Sequence, residues 1–282
     1  MLQLVPTATA PETVRFSVHR FDDLDTAPFS TDDYSRMKFG ADSVAKRFAN
    51  EMAQVFFDQH RELLTTRCVV LPAPATTVPV ASTMMTLHFI DRLNVLLDRA
   101  GMEPVEWSHV HRNFSFNDTY ASADSDTRKE MLARDRTFLN TDYIENATII
   151  FVDDVVITGA HENRMEAFVR DCGLVNQIVL AAYARYDGVV ASTEMKLNHA
   201  RIKTAADMVS LSMDEPDFRI TTRGVRLMLG EQPQQFAFLL SEASSDFVRE
   251  LYRCAIVKGY TRHEPYAANV QVLRLVVQEI DG

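Results

Sequence analysis

The sequence predicts an α/β fold built on a parallel sheet, with a mostly helical C-terminal region, and three observations carry that prediction. Three short continuous apolar runs, Cys68 to Leu71, Thr148 to Val152 and Gln177 to Tyr183, read as strands buried on both faces. Segments beside these runs place apolar residues three or four apart, the period of an amphipathic helix. Glycine is scarce, 9 of 282 residues, about 3% against an average near 7%, which goes with long helices and few special turns.

Residues 1–34 are rich in Pro, Thr and Asp, with one alternating run, Val14 to Val18, that fits an edge strand. From Asp42 to Leu64, Val44, Phe48, Met52, Val55 and Phe56 mark a helix. The strand Cys68 to Leu71 stops at Pro72, and Pro72, Pro74 and Pro79 flank Thr76 and Thr77 in a loop. Ser82 to Ala100 is helical, closed by Gly101. Val105 to His111 alternates weakly, as a strand would, and Asn117 to Arg136 reads as an exposed polar loop with a short helix. Thr148 to Val152 is the strongest strand signal; a helix from Glu162 to Arg170 follows and ends at Gly173. With Gln177 to Tyr183 this makes a βαβ unit, whose short connections require parallel strands. Beyond about Glu194 the pattern is helical, and the amphipathic stretch Phe236 to Val257 is read as core or as the face of a homodimer. The expected division is an N-terminal segment, 1–34, that is a candidate hood, a core at 35–193 and a helical region at 194–282.

Composition narrows the function classes. At roughly 150 residues per domain, 282 residues allow two domains or one with an extension. No window of 18 uncharged apolar residues exists, so a membrane-spanning helix is not expected. The start, MLQLVPTATAPETVRF, lacks a basic region followed by an apolar core. Cys68, Cys172 and Cys254 are isolated, which argues against a disulfide framework or a structural zinc site. The expected compartment is the cytoplasm. Charges sum to 29 − 39 = −10, so general nucleic-acid binding is not expected.

Chemistry concentrates in TIIFVDDVVITGAH, Thr148 to His161. A buried strand delivers Asp153 and Asp154 to its C-terminal edge, where ligands of open α/β sheets sit. Thr158 and Gly159 then lead into a helix N-terminus, an anion site. Carboxylates accept hydroxyl protons or hold a hydrated magnesium ion. A sugar phosphate meets both demands.

VDDVVITGAH resembles the phosphoribosyl pyrophosphate (PRPP) motif of type I phosphoribosyltransferases, whose fold is a Rossmann-like parallel sheet. The resemblance implies that Asp153 and Asp154 contact the ribose hydroxyls and, indirectly, Mg2+. It implies that Ile157, Thr158, Gly159, Ala160 and His161 wrap the 5′-phosphate. VVLPAPATTVPVAS, Val69 to Ser82, resembles the family's pyrophosphate loop, with Ala75, Thr76 and Thr77 at its centre. Arg36-Met37-Lys38-Phe39-Gly40 resembles the entry of ComF-like members, and Ala133 to Asn140 their Arg-containing segment. The order of elements matches over roughly 34–190, and is similar to ComF-like proteins found beside tellurite-resistance genes.

Departing pyrophosphate gathers negative charge, so catalysis needs cations there. The family implies a closing loop that brings one, and Arg112, Arg128, Lys129, Arg134 and Arg136 lie in the matching stretch, with Arg112 and Arg134 the expected catalytic pair; each is otherwise a solvated charge. Two departures stand out. His161 replaces the usual Thr or Ser, and its imidazole either donates to phosphate or covers the helix start. The pyrophosphate loop lacks the common Lys or Arg. Trp107, His109 and His111 alternate and would line either a base pocket or a buried strand face. In family members that salvage 6-oxopurines an Asp stands third after the acidic pair; here that residue is Ile157.

The leading expectation is a Mg-dependent enzyme that moves ribose 5-phosphate from PRPP to an unidentified nitrogenous acceptor, or runs that reaction backward. The alternatives are a non-catalytic PRPP or nucleotide sensor on the same fold, and a DNA-uptake or stress accessory protein.

Overall fold

The computed structural model describes residues 11–73, 77–112, 137–138, 140–189 and 192–282. A five-stranded sheet is formed by β1 (Val14–Phe21), β2 (Cys68–Pro72), β3 (Glu106–Trp107), β6 (Thr148–Val156) and β7 (Ile178–Tyr186), in the order β1-β7-β6-β2-β3. Two further strands, β4 (His111–Arg112) and β5 (Thr137–Phe138), pair with each other antiparallel. β2 runs parallel to β3 and β6, and β6 runs parallel to β7. The fold is the expected α/β one, and the alternating N-terminal run is an edge strand of the sheet.

The chain divides into two compact units. One takes the described residues within Met1–Arg20, Ala49–Pro74 and Thr86–Asp187, the other those within Phe21–Phe48, Ala75–Met85 and Gly188–Gly282.

In the first unit, Val69 and Leu71 of β2, Ile149 and Phe151 of β6, and Ile178 and Leu180 of β7 form one buried cluster with Met165 and Val169. The last two belong to the helix Ala160–Asp171. They lie four apart, on one helical face, which is why that helix lies along the sheet. Fully burying each such side chain is worth about 1.5–3 kcal/mol. Also in this unit, the Phe16 and Phe56 rings meet edge to face, 5.2 Å apart. The Tyr183 hydroxyl donates to Glu51 at 2.8 Å.

The second unit contains α1 (Thr31–Phe39) and most of the C-terminal helices. In chain order the remaining helices are α2 (Asp42–Gln59), α3 (Ala81–Arg99), α4 (Thr141–Ile144), α5 (Ala160–Asp171), α6 (Thr193–Asn198), α7 (Ala205–Asp214), α8 (Thr222–Leu229), α9 (Pro233–Glu242), α10 (Ser245–Val257) and α11 (Glu264–Asp281). Helix α1 starts where the Ser30 hydroxyl accepts from the Asp33 amide, with Asp32 and Asp33 in its first turn. Buried Val270 and Leu273 of α11 pack with the C-terminal helices. Asn269 of α11 donates to the Leu229 and Glu231 carbonyls at 2.9 and 2.6 Å, satisfying the end of α8.

Several element boundaries differ from expectation. The helix from Asp42 ends at Gln59, and a 3₁₀ turn, Arg61–Thr65, follows. The apolar stretch Phe236 to Val257 is two helices, because the Ser244 hydroxyl caps a new start by accepting from the Phe247 amide at 3.2 Å. Val105 to His111 is not one strand: Glu106–Trp107 joins the sheet, whereas His111–Arg112 pairs with Thr137–Phe138. The acidic strand runs four residues past Val152, to Val156. Among the described residues no helix is long and apolar enough to cross a membrane.

Candidate active site

The stretch that follows β6 turns sharply. Gly159 takes φ 70° and ψ 0°, a left-handed conformation that glycine adopts without a Cβ penalty, and it caps α5. Its carbonyl accepts the first helical bond, from the Asn163 amide at 3.0 Å. The Thr158 hydroxyl accepts from the Ala160 amide at 3.2 Å and fixes the approach. Glycine supplies no capping side chain, so the first turn of α5 offers its backbone N–H groups and the positive end of its dipole to the loop. Thr158, Ala160 and His161 are exposed, and Ile157 and Gly159 half-buried.

The acidic pair sits within β6, not beyond it. Pairing with β2 ends at Pro72 opposite Val152, while pairing with β7 continues to Val156 opposite Arg185. Asp153 is therefore the first residue past the end of β2. Successive strand residues face opposite sides, and the two acids differ accordingly. Asp153 is half-buried; its Oδ1 accepts from the Asp154 amide at 2.9 Å, and its Oδ2 lies 2.8 Å from Nδ1 of His161. Asp154 is only 4% exposed, with Oδ1 accepting from the Val155 amide at 2.8 Å.

The bond to Asp153 raises the His161 pKa above the ordinary imidazole value. Desolvation opposes the rise, the charges of Asp153 and Asp154 add to it, and Arg164 offsets part. A shallow cleft, open to solvent, lies here; Phe151, Met165 and Leu180 give it an apolar wall, and Asp153, His161 and Glu162 a polar one.

Glu162 is buried in the first turn of α5, and its Oε1 accepts from the Arg185 guanidinium at 2.6 Å. Glu162 stands one residue beyond the motif at 148–161. The available signals were a glutamate at the third helical position behind a glycine cap, and an arginine ending an apolar strand.

The other expected site residues are placed as follows. Thr77 is exposed and belongs to the second unit. Ala75, Thr76, Arg128, Lys129, Arg134 and Arg136 lie outside the described residues. Arg112 is on β4, opposite Thr137. Trp107 is on the edge strand β3, 46% exposed, its ring 4.3 Å from that of His109. His111 lies on β4, so the three residues do not share a strand. Gly40, in the segment resembling the ComF-like entry, has φ 132° and donates to the Arg36 and Met37 carbonyls at 3.0 and 3.1 Å. Burial pushes the Cys68 thiol to about 11 and the Cys254 thiol to about 12, which leaves neither a nucleophile at neutral pH. Among the described residues no three His, Cys, Asp or Glu side chains group so as to hold a metal ion.

Comparison with known proteins matches residues 13–273 to the family described as PRTase ComF-like. No curated protein matches. Similar solved structures include hypoxanthine-guanine phosphoribosyltransferase from Schistosoma mansoni in complex with IMP, at 9% identity over 53% of this chain and 68% of that one, TM-score 0.33. Hypoxanthine phosphoribosyltransferase from Trypanosoma cruzi in complex with the product IMP has 17% identity over 54% and 77%, TM-score 0.34. Hypoxanthine-guanine phosphoribosyltransferase from L. donovani has 12% identity over 51% and 68%, TM-score 0.32. Nothing about substrate follows from scores this low.

Proposed function

Because the chain belongs to the ComF-like phosphoribosyltransferase family, we propose that it binds PRPP and transfers ribose 5-phosphate to a nitrogen nucleophile, releasing pyrophosphate. One observation carries the reading: a glycine-capped helix start, open to an anion, follows within one short loop the half-buried carboxylate of Asp153. The amides of the loop 157–161 hold the 5′-phosphate in this reading. Asp153 accepts a ribose hydroxyl, and its bond to His161 holds the carboxylate in place.

Among the described residues no three metal-ligating side chains group together, so a hydrated magnesium ion that arrives with a diphosphate suits the site better than an ion in a protein cage. Half-buried Asp153, which lines the cleft, would hold it directly or through water, and buried Asp154 would add negative charge beneath it. When bound there, magnesium would neutralise charge on a departing pyrophosphate.

Isothermal calorimetry with PRPP and magnesium tests the reading. Micromolar binding that ribose 5-phosphate competes away supports it, and no binding of either ligand overturns it. A second reading, a PRPP or nucleotide sensor, is favoured by the absence of Lys and Arg from Val69 to Ser82. Isotope exchange between pyrophosphate and PRPP, run with candidate bases, separates the two, since a sensor binds without turnover.

A further inference from the structure

We propose that Arg185 is a positioning residue for the anion site, which keeps the carboxylate of Glu162 off the first turn of α5 and so leaves that turn to a ligand phosphate. The proposal rests on the reading of the Thr158-Gly159 loop as the 5′-phosphate site.

Glu162 is the third helical residue after the Gly159 cap. A glutamate at that position ordinarily bends back to the start of its own helix, satisfying amides there and sitting on the positive end of the dipole. Here that would place an anion where the phosphate must go. Glu162 is close enough to do it: a Cβ built on Gly159 would stand 3.8 Å from Glu162 Oε2.

Oε1 of the carboxylate is instead drawn inward, while Oε2 stays beside Gly159. Oε1 takes a bond from Arg185 at 2.6 Å, and the two side chains are only 6% and 16% exposed. Arg185 pairs in register with Val156, the last residue of β6, so the sheet sets the guanidinium at the base of the loop. A buried carboxylate without its cation would need another partner. The amides of the first turn of α5 are adjacent. Arg185 thus neutralises and directs a negative charge that the fold keeps beneath an anion-binding turn.

Calorimetry on the full chain, with PRPP and magnesium and separately with ribose 5-phosphate, tests this in Arg185→Met, Glu162→Gln and the double variant. Arg185→Met should weaken both ligands by about five- to thirtyfold, the range of a charge acting at a partly buried helix N-terminus. Glu162→Gln should bind both more tightly than the wild type, and adding it to Arg185→Met should recover most of the loss. If the pair only braces the fold, Glu162→Gln weakens binding instead, and that result overturns the proposal even where Arg185→Met cannot be purified folded. Wild-type affinity in a folded Arg185→Met overturns it too. A wild-type chain that binds neither ligand removes the phosphate-loop reading and this proposal with it.

Discussion

His161 Nδ1 lies 2.8 Å from Asp153 Oδ2, so the residue that stands where the loop's final hydroxyl is expected bonds to the acidic pair. In the proposed reading the imidazole would act on the ribose side of the site, through the carboxylate, and the amides of the loop would be left to hold the phosphate.

The acidic pair sets the first prediction. Asp153→Asn with Asp154→Asn keeps the shape of both side chains but removes their charge. Charge-assisted hydrogen bonds are worth about 1.5–3 kcal/mol each, so PRPP affinity falls by about two orders of magnitude or more. Calorimetry reads the loss, and circular dichroism checks that the fold survives. Wild-type affinity in this variant would end the phosphoribosyltransferase reading.

Ile157 sets the second. A purine N–H buried against its apolar side chain loses a partner, at a cost of about 1–3 kcal/mol. Hypoxanthine and guanine should therefore not be turned over as acceptors. Steady-state assays with both purines, PRPP and magnesium check this, and turnover near 1 s⁻¹, an ordinary enzyme rate, would show the inference from Ile157 to be wrong.

The third concerns acid stability. Hydrogen bonds from Arg67, then from Tyr143, hold the Glu106 carboxyl down to about 2. Arg67 donates to both carboxylate oxygens at 2.8 Å. A carboxyl depressed in the folded state adds stability above its unfolded pKa, about 4.3, and loses it as pH falls toward 2. Both side chains are over a third exposed, so solvent screening keeps the contribution under about 1 kcal/mol. Arg67→Met should flatten the urea-stability profile between about pH 4 and 2. Parallel profiles for the two proteins would show that the pair contributes nothing.

The fourth concerns Gly40. Its φ of 132° disfavours any side chain, and a Cβ would stand 2.5 Å from the Arg219 carbonyl oxygen and 2.8 Å from Phe218. That carbonyl is held in place, because the Arg219 amide donates to the Gly40 carbonyl at 2.9 Å. Gly40→Ala should cost at least about 1–3 kcal/mol, the usual range for backbone strain. Chemical denaturation measures it; a loss below about 0.5 kcal/mol, the scatter of ordinary surface substitutions, would refute the packing argument.

Much of the site was legible along the chain. A β-branched run, two acids, Thr-Gly and a helix start follow each other within fourteen residues, Thr148 to His161, and each obeys a local rule. Glycine before a helix signals a left-handed cap, and φ 70° at Gly159 is that cap. The boundaries were less legible. Asp153 and Asp154 read as strand terminators by propensity, yet β7 continues beside them and supplies the ladder that keeps β6 extended to Val156. The break at Ser244 was hidden because apolar spacing runs through it, and only the capping hydroxyl marks the new helix.

The elements and the loop chemistry follow from local order, because helix period, strand alternation and glycine's conformational freedom act over a few neighbouring residues. The tertiary structure alone decided that the two acids diverge, that His161 holds Asp153, and that Glu162 turns inward to Arg185. These depend on where one element ends beside another. β2 stops opposite Val152 while β7 continues, which opens the space beside Asp153. The same register brings Arg185 to Glu162 across 23 residues of chain. No local rule encodes such a meeting, since it is set by strand length, sheet register and the packing of α5 on Phe151 and Leu180.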